Sequence, residues 1–356
     1  MGKVNVAIIG GGTVGGGVYQ ALKKNGRLIA SRLGISLSVR SVVVRDLQKT
    51  RNVKITKKLL STDWKSVVED PKTHLVIELV GGVRTAKQIV KKALTLGKPV
   101  VTANKALISE FGEELFALAD ENNTNLYYEA SVAGGIPIIK VLREGLIGNR
   151  IPYIYGILNG TCNYILTRMK REGSEFGGVL EDAQRLGYAE AEPSLDVDGI
   201  DAMHKAGILG SLAHGFWIPP EQIHVEGIRG ISPLDIQFSE QLGYTIKLLA
   251  TIKPAQKSSD SCAIQISVCP TLVPNHHVLA GVQDVFNAIF IGGDIVGETL
   301  YYGRGAGQDA TASAVVSDLA DAALDLKHDT HNRIPPFVPH SEDGIVAPWE
   351  KTVAPF

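Results

Sequence analysis

Residues 4–22 read VNVAIIGGGTVGGGVYQAL: a short apolar run, a cluster of glycines, and then a helix-forming stretch. Gly10, Gly12 and Gly15 fall on the spacing G-x-G-x-x-G, and a strand before it with a helix after it gives that spacing a mechanism. The first glycine permits a tight turn. The second lets the backbone approach a pyrophosphate, and the third lets the helix pack close to the strand. The helix start, with Thr13 and Val14 in its first turn, then offers amide donors and the positive end of its dipole to phosphates. The plainer alternative is a glycine-rich turn that binds nothing.

The first 130 or so residues continue the rhythm. Apolar runs at 4–9, 37–44, 75–79, 100–102 and 126–129 predict strands, separated by helical patterns such as 86–96 and 112–121. Alternation of this kind implies βαβ units and a doubly wound α/β sheet of Rossmann type over residues 1–144. After the second strand the chain reads VVVRDLQK. An acidic residue there binds the ribose hydroxyls of NAD, whereas an arginine accommodates the 2′-phosphate of NADP. Arg45 comes first and favours NADP; Asp46 beside it keeps NAD open. Lys49 and Lys57 either add charge to that site or are merely solvated. Gly81, after the third strand, and Gly307, in a second glycine turn near the C-terminus, are further candidates for backbone approach to the cofactor.

Length and composition bound the rest. A chain of 356 residues, 44% hydrophobic, is long enough for two ordinary cores, so two domains are expected. A net charge of −1 without a basic block speaks against nucleic acid as a partner. No apolar run reaches the roughly 18 residues of a membrane span, and no charged segment precedes a short apolar one at the start, so the expected location is the cytoplasm. Cys162, Cys262 and Cys269 are too few and too irregularly spaced for a disulfide framework or a zinc site, and free thiols are expected.

From about residue 145 the βαβ rhythm stops. Strand-like runs at 151–158, 223–228, 245–252, 263–268 and 288–291, with helices between them, predict an α+β catalytic and dimerisation domain over 145–304. A sheet open on one face can pack on a copy of itself, which makes a homodimer the expected assembly. Residues 305–330 resemble a helix returning to the nucleotide domain. The proline-rich remainder, 331–356, is expected to be an extended arm.

Residues 187–205, GYAEAEPSLDVDGIDAMHK, concentrate carboxylates and a lysine at the mouth of an otherwise apolar helix. Asp201 and Lys205 stand at i and i+4, on one side of that helix. Burying charges costs several kcal/mol each unless they are paired or used. Two readings fit: a structural ion pair at a helix start, or a polar pocket for a small zwitterionic substrate with Lys205 as the proton-transfer group.

Six ordered motifs carry a resemblance: GGGTVGGGV at 10–18, TANKAL at 102–107, EASVAGGIPII at 129–139, GILNGTCNYIL at 156–166, LGYAEAEPSLDVDGIDAMHK at 186–205 and YYGRGAGQDATASAVVSD at 301–318. Together they resemble homoserine dehydrogenase from residue 4 to about residue 325. The resemblance implies reversible reduction of L-aspartate 4-semialdehyde to L-homoserine with NADPH or NADH, on the route to threonine, methionine and isoleucine. It assigns Lys205 as general acid, and as base in the reverse direction. Lys105 would sit beside nicotinamide and substrate, and Asp196 would orient Lys205. Glu190 and Asp201 match the positions that bind the substrate ammonium, and Gly187 would approach the nicotinamide as backbone. Glu129, with the main-chain carbonyls of Val132, Gly134 and Ile136, matches a site for a monovalent cation, Na+ or K+, and oxygen-only ligation suits a hard ion. Asn159 and Thr161 are candidates for hydrogen bonds to cofactor or substrate, and Glu192 and Asp198 are expected to be solvated or supporting. Many bacterial members carry a C-terminal ACT domain; this chain stops in what resembles the linker before it, so the implied form is the short one.

Two other classes remain on the residues alone. Cys162, before a helix, is a candidate thiolate nucleophile of an acylating aldehyde dehydrogenase, since helix N-termini lower thiol pKa values. A Rossmann domain kept only for sensing NAD(P) is the non-enzymatic alternative. Both leave the carboxylates and lysine of 187–205 without a task.

Overall fold

The N-terminal apolar run forms β1 (Gly2–Ile9), in which Val6, Ala7 and Ile8 are wholly inaccessible to solvent. Such continuous burial is the mark of a parallel strand covered on both faces. The protein is described by a computed structural model covering residues 2–255, 263–330, 333, 335–341 and 343–349. Cys262 lies outside the described residues; Cys162 and Cys269 are free thiols.

The chain divides into two units, 1–140 with 306–338, and 141–305 with 339–356. In the first, β1 is joined by β2 (Ile35–Val43), β3 (Leu60–Ser61), β4 (Leu75–Glu78), β5 (Val100–Thr102) and β6 (Leu126–Tyr127). All pair in parallel, in the order β3-β2-β1-β4-β5-β6. This is a doubly wound Rossmann sheet whose order reverses between β1 and β4, the point where such sheets open a crevice for a ligand. The glycine turn at 10–12 sits at that reversal and feeds the helix Thr13–Leu33.

The helix Gln308–His328 completes this first unit, although some 165 residues of the second unit, 141–305, come before it. Its Ala312, Val315, Leu319 and Ala323 share one apolar cluster with Val18 and Leu22 of the helix Thr13–Leu33. A row of polar contacts fixes its other side. Asp318 Oδ2 accepts from the Glu129 amide at 2.9 Å, Lys140 Nζ lies 2.5 Å from Asp321 Oδ2, and the Tyr127 hydroxyl donates to Asp325 Oδ2 at 2.6 Å. Buried polar groups are retained only when paired, and each of these is.

The second unit holds β7 (Tyr153–Ile157), β8 (His224–Val225), β9 (Tyr244–Pro254), β10 (Ala263–Pro274), β11 (Phe286–Gly293), β12 (Gly297–Arg304) and β13 (Ile345–Val346). Their order is β12-β11-β7-β9-β10-β13, with β8 also on β10. Neighbours are antiparallel except β8 and β13, which run parallel to β10. The helices Gly160–Glu172, Ile200–His214 and Pro233–Gln241 pack on this sheet.

Several strands differ from the sequence expectation, among them β3, a two-residue strand that no apolar run announced. β12 falls where the sequence suggested only a glycine turn, because an edge strand with alternate residues exposed lacks a continuous apolar run. The strand expected at 223–228 shrinks to two residues, since the Ile228 amide turns away to the Val197 carbonyl at 2.8 Å. Of the arm expected at 331–356, residues 345–346 form β13 on β10. Among the described residues, no helix is long and apolar enough to cross a membrane.

Candidate active site

At Gly10 the backbone adopts φ +115°, and a Cβ there would stand 2.3 Å from the Leu79 carbonyl oxygen. A Cβ at Gly15 would stand 1.8 Å from the Gly10 oxygen, so strand, turn and helix meet only as glycine. Gly12 is different: nothing lies within 4 Å of its Cβ position. It is the N-cap of Thr13–Leu33, which has no side-chain cap and no acidic residue in its first turn. An uncapped positive helix end facing open space fits an anion.

That space is a cavity of about 770 Å³ within the first unit. Gly10, Gly12, Thr13, Arg45 and Gly81 line it, while Val14 and Gly15 continue the helix behind the turn. Lys49 lines it too, as do Arg51 and Gln308, two residues the sequence did not single out. Arg51 donates to the carbonyls of Asp46 and, at 2.8 Å, Lys49, so three basic side chains border one loop. The Asp46 carboxylate accepts from the Gln48 amide at 2.8 Å. Lys57 opens the short turn Lys57–Leu59 and Gly307 is the N-cap of Gln308–His328; neither lines the cavity.

Lys105 is the first residue of the helix Lys105–Glu121, half-buried at the carboxyl end of β5. Asn104 fixes this turn by accepting from the Leu107 amide at 3.1 Å and donating to the Gly82 carbonyl at 2.8 Å. Below it, Glu78 is fully buried, accepting from the Val80 amide at 2.7 Å and the Thr102 hydroxyl at 2.6 Å. Burial outweighs those two hydrogen bonds and pushes its carboxyl up to about 7.

In the second unit, Lys205, Asp201, Asp196, Asn159 and Thr161 form one network. Asn159 caps the helix Gly160–Glu172, accepting from the Cys162 amide at 2.8 Å. Its amide group then donates to Asp196 Oδ1 and to Asp201 Oδ2, each at 2.8 Å. Lys205 Nζ donates to Asp201 Oδ2 and to the Leu158 carbonyl, each at 2.7 Å. Thr161 donates to the Tyr188 carbonyl at 2.8 Å and stands 3.2 Å from Asp196 Oδ2. The carboxylate bonded to the Lys205 amine is thus Asp201, one turn earlier on the same helix, and Asn159 links Asp196 to that carboxylate. Burial, reinforced by the Asp201 charge, holds the Asp196 carboxyl above the usual aspartate range against the opposing Asn159, Thr161 and Lys205.

An ammonium has three N–H donors, and protein acceptors among the described residues take two of those on Lys205. Lys205 as a whole residue is 8% exposed. Glu190 is exposed; its carbonyl accepts from Gln184 at 3.0 Å. Gly187 turns at φ +76° with open space where a Cβ would stand. Glu192 is exposed and bonds the Ser194 hydroxyl, while Asp198 pairs with Arg229 at 2.5 Å, both outside the network.

Cys162 is fully buried and its thiol donates to the Asp196 carbonyl at 3.1 Å. Burial and the neighbouring carboxylates push that thiol well up, the opposite of an activated nucleophile. The acylating-dehydrogenase reading therefore loses its key residue.

Glu129 serves the first unit. Its two carboxylate oxygens accept from the amides of Ile139 and Lys140 at 2.9 and 2.8 Å. Between these residues the loop passes through Ala133 and Gly134, both at positive φ, and the Ile136 carbonyl accepts from the Ile138 amide at 2.8 Å.

Comparison with known proteins agrees with this geometry. Residues 10–129 match the family model described as homoserine dehydrogenase, NAD binding domain, and residues 137–320 match the model described as homoserine dehydrogenase. A homoserine dehydrogenase of Bacillus subtilis is 46% identical over 92% of this chain and 74% of its own length. The crystal structure of a homoserine dehydrogenase from Thiobacillus denitrificans superposes with a TM-score of 0.92 at 43% identity, over 97% of this chain and 80% of that one. A hyperthermophilic archaeal homoserine dehydrogenase in complex with NADPH is similar over 91% of this chain and 98% of that one, with a TM-score of 0.75 at 31% identity. A glycine-turn nucleotide crevice in one unit, a lysine–carboxylate network in the other, and relatives matching across nine-tenths of the sequence have one explanation: the chain belongs to the homoserine dehydrogenase family, NAD(P)-dependent oxidoreductases acting on CH–OH groups.

Proposed function

We propose that the chain catalyses the reversible reduction of L-aspartate 4-semialdehyde to L-homoserine, and that Lys205 is its acid–base group. The observation that carries this is the buried pair of Lys205 with Asp201, held by Asn159 and the Leu158 carbonyl, in which protein acceptors among the described residues take two of the three ammonium donors. The Gly10–Gly15 turn would hold a reduced dinucleotide, which would supply the hydride that reduces the aldehyde carbon. As the carbonyl oxygen gains negative charge, the third N–H of Lys205 donates to it and passes over its proton. Asp201 holds the ammonium in position, and Asp196 holds Asp201 through Asn159. Asp201 and Glu190 supply negative charge for the substrate's own ammonium, which loses its hydration on binding. Lys105, Gly187 and Gly307 belong to the nicotinamide and phosphate side of the reaction.

NADP is the preferred cofactor in this reading. Arg45, Lys49 and Arg51 border the crevice, and the Asp46 carboxylate is engaged by the Gln48 amide. A planar guanidinium matches a phosphate's geometry. Glu129 with the carbonyls of Val132, Gly134 and Ile136 fits a Na+ or K+ ion, because the set is all oxygen with one negative charge. The ion would brace the loop and take no part in the chemistry. The assembly is a homodimer built on the second unit, whose edge strand β12 exposes Leu300 and Tyr302 at 40% and 54%, and the enzyme works in the cytoplasm.

Purified protein supplied with L-homoserine and NADP+ at alkaline pH should produce reduced nicotinamide. Folded protein that binds the cofactor yet turns over with neither NADP+ nor NAD+ would sink the reading. Light scattering after size-exclusion chromatography tests the dimer.

A further inference from the structure

β8 lies parallel to β10 in a register that sets His224 beside Ser267 and Val225 beside Val268. Continuing by one residue sets Glu226 beside Cys269, and the Glu226 amide indeed donates to the Val268 carbonyl at 2.8 Å. Side chains alternate between faces along a strand, so one pair's direction fixes its neighbours'. A Cβ at Gly199, the N-cap of the helix Ile200–His214, would stand 2.9 Å from Val225 Cγ1 and 3.5 Å from Val268 Cγ1. Those two valines face the helix. His224, Glu226 and Cys269 therefore project together from the opposite face, and one donor atom from each lies within 4.8 Å of the others.

We propose that His224, Glu226 and Cys269 bind one borderline divalent transition-metal ion, with Zn2+ as the species the donor set suits. An imidazole nitrogen, a carboxylate oxygen and a sulfur are a mixed set that hard Mg2+ or Ca2+ does not favour and an iron–sulfur cluster does not use. Three protein ligands leave the fourth tetrahedral position to water. Metal–ligand bonds of about 2.0–2.3 Å require donor atoms about 3.3–3.8 Å apart. Closing the present triangle asks for about an ångström of side-chain movement. Glu226, being exposed, has that freedom. The imidazole is already fixed in plane: it stacks on Trp349 with ring centroids 4.2 Å apart and 4° between planes. Three cysteines are too few for an all-cysteine site; this one needs a single cysteine and two ligands that become neighbours only through strand pairing. A bound ion would tie β8 to β10 and, through the stacked Trp349, to the C-terminal segment that supplies β13.

The test uses the full chain, free of any affinity tag and stripped with a chelator, titrated with Co2+ as a spectroscopic stand-in and then with Zn2+. One Co2+ per chain should bind with a thiolate-to-cobalt charge-transfer band in the near ultraviolet, and Zn2+ should displace it. C269S should lose the band, and H224Q and E226Q should weaken binding by at least about tenfold. Absence of the band in the parent chain, or equal binding by the parent and all three variants, overturns the proposal. Glu226 is exposed, so E226Q carries the same test should Cys269→Ser fail to fold.

Discussion

Asp201 and Lys205 form a buried ion pair across one turn of the helix Ile200–His214, oxygen and nitrogen 2.7 Å apart with side chains only 7% and 10% exposed. Attraction in such a place has to offset the desolvation of both ions, and it does so only with further hydrogen bonds. Asn159 and the Leu158 carbonyl provide them. The result is a lysine amine held in one position by Asp201 and the Leu158 carbonyl.

Lys205→Ala should lower turnover by about 10²- to 10⁴-fold, the range for a lost acid–base group, while NADPH affinity measured by fluorescence stays nearly unchanged. Stability should fall by about 3–5 kcal/mol because Asp201 is left buried without its cation. Equal losses in turnover and cofactor affinity would make the lysine architectural.

Gly12→Ala separates binding from folding. Its methyl meets no protein atom within 4 Å, so the denaturation midpoint should hardly move, by less than about 0.5 kcal/mol. Cofactor affinity should nonetheless drop at least about tenfold, since the methyl occupies space the pyrophosphate needs. Calorimetric titration reads the second effect and urea denaturation the first.

Replacing Arg45 with serine should raise the KM for NADP+ by about 10- to 100-fold, the worth of a charge-assisted hydrogen bond, and change the KM for NAD+ little. Parallel losses with both cofactors would place Arg45 outside 2′-phosphate recognition.

Glu78 titrates near 7 in the folded chain against 4.5 ordinarily. Between those values the folded state keeps a proton that the unfolded state has lost, so this residue lowers stability progressively as pH rises from about 4.5 to 7, and not further above that. Glu78→Gln removes the slope. Relative to the parent, the variant should gain on the order of 3 kcal/mol between pH 4 and pH 8, seen as Tm across that range.

Cys162→Ser should retain turnover, and iodoacetamide should leave the folded enzyme active, because the thiol is inaccessible and protonated. Abolished turnover in a folded serine variant would revive a thiolate mechanism.

Five of the first sheet's six strands were legible because their signals are local: apolar runs followed at short range by helices, with Gly10 and Gly15 forced by close contact; β3, two residues long, was not. The second sheet was less so. β12 hides as a half-exposed edge strand, and β8 is two residues whose pairing depends on β10, some 40 positions away. At the site, Asp201 and Lys205 announce themselves by their i,i+4 spacing. The role of Asn159 does not, because an asparagine before a helix reads as an ordinary cap, and nothing in sequence reveals that its amide also spans two carboxylates. Arg51 and Gln308 were missed for a similar reason: only the folded loop and the returning helix bring them to the crevice.

The helix Gln308–His328, which follows residues 141–305 in sequence, supplies part of the nucleotide unit's apolar cluster. During synthesis, then, the ribosome must release residues 141–305 before the first unit can close its core. A nascent chain paused short of residue 308 would leave the apolar surface around Val18 and Leu22 without the packing that this helix provides.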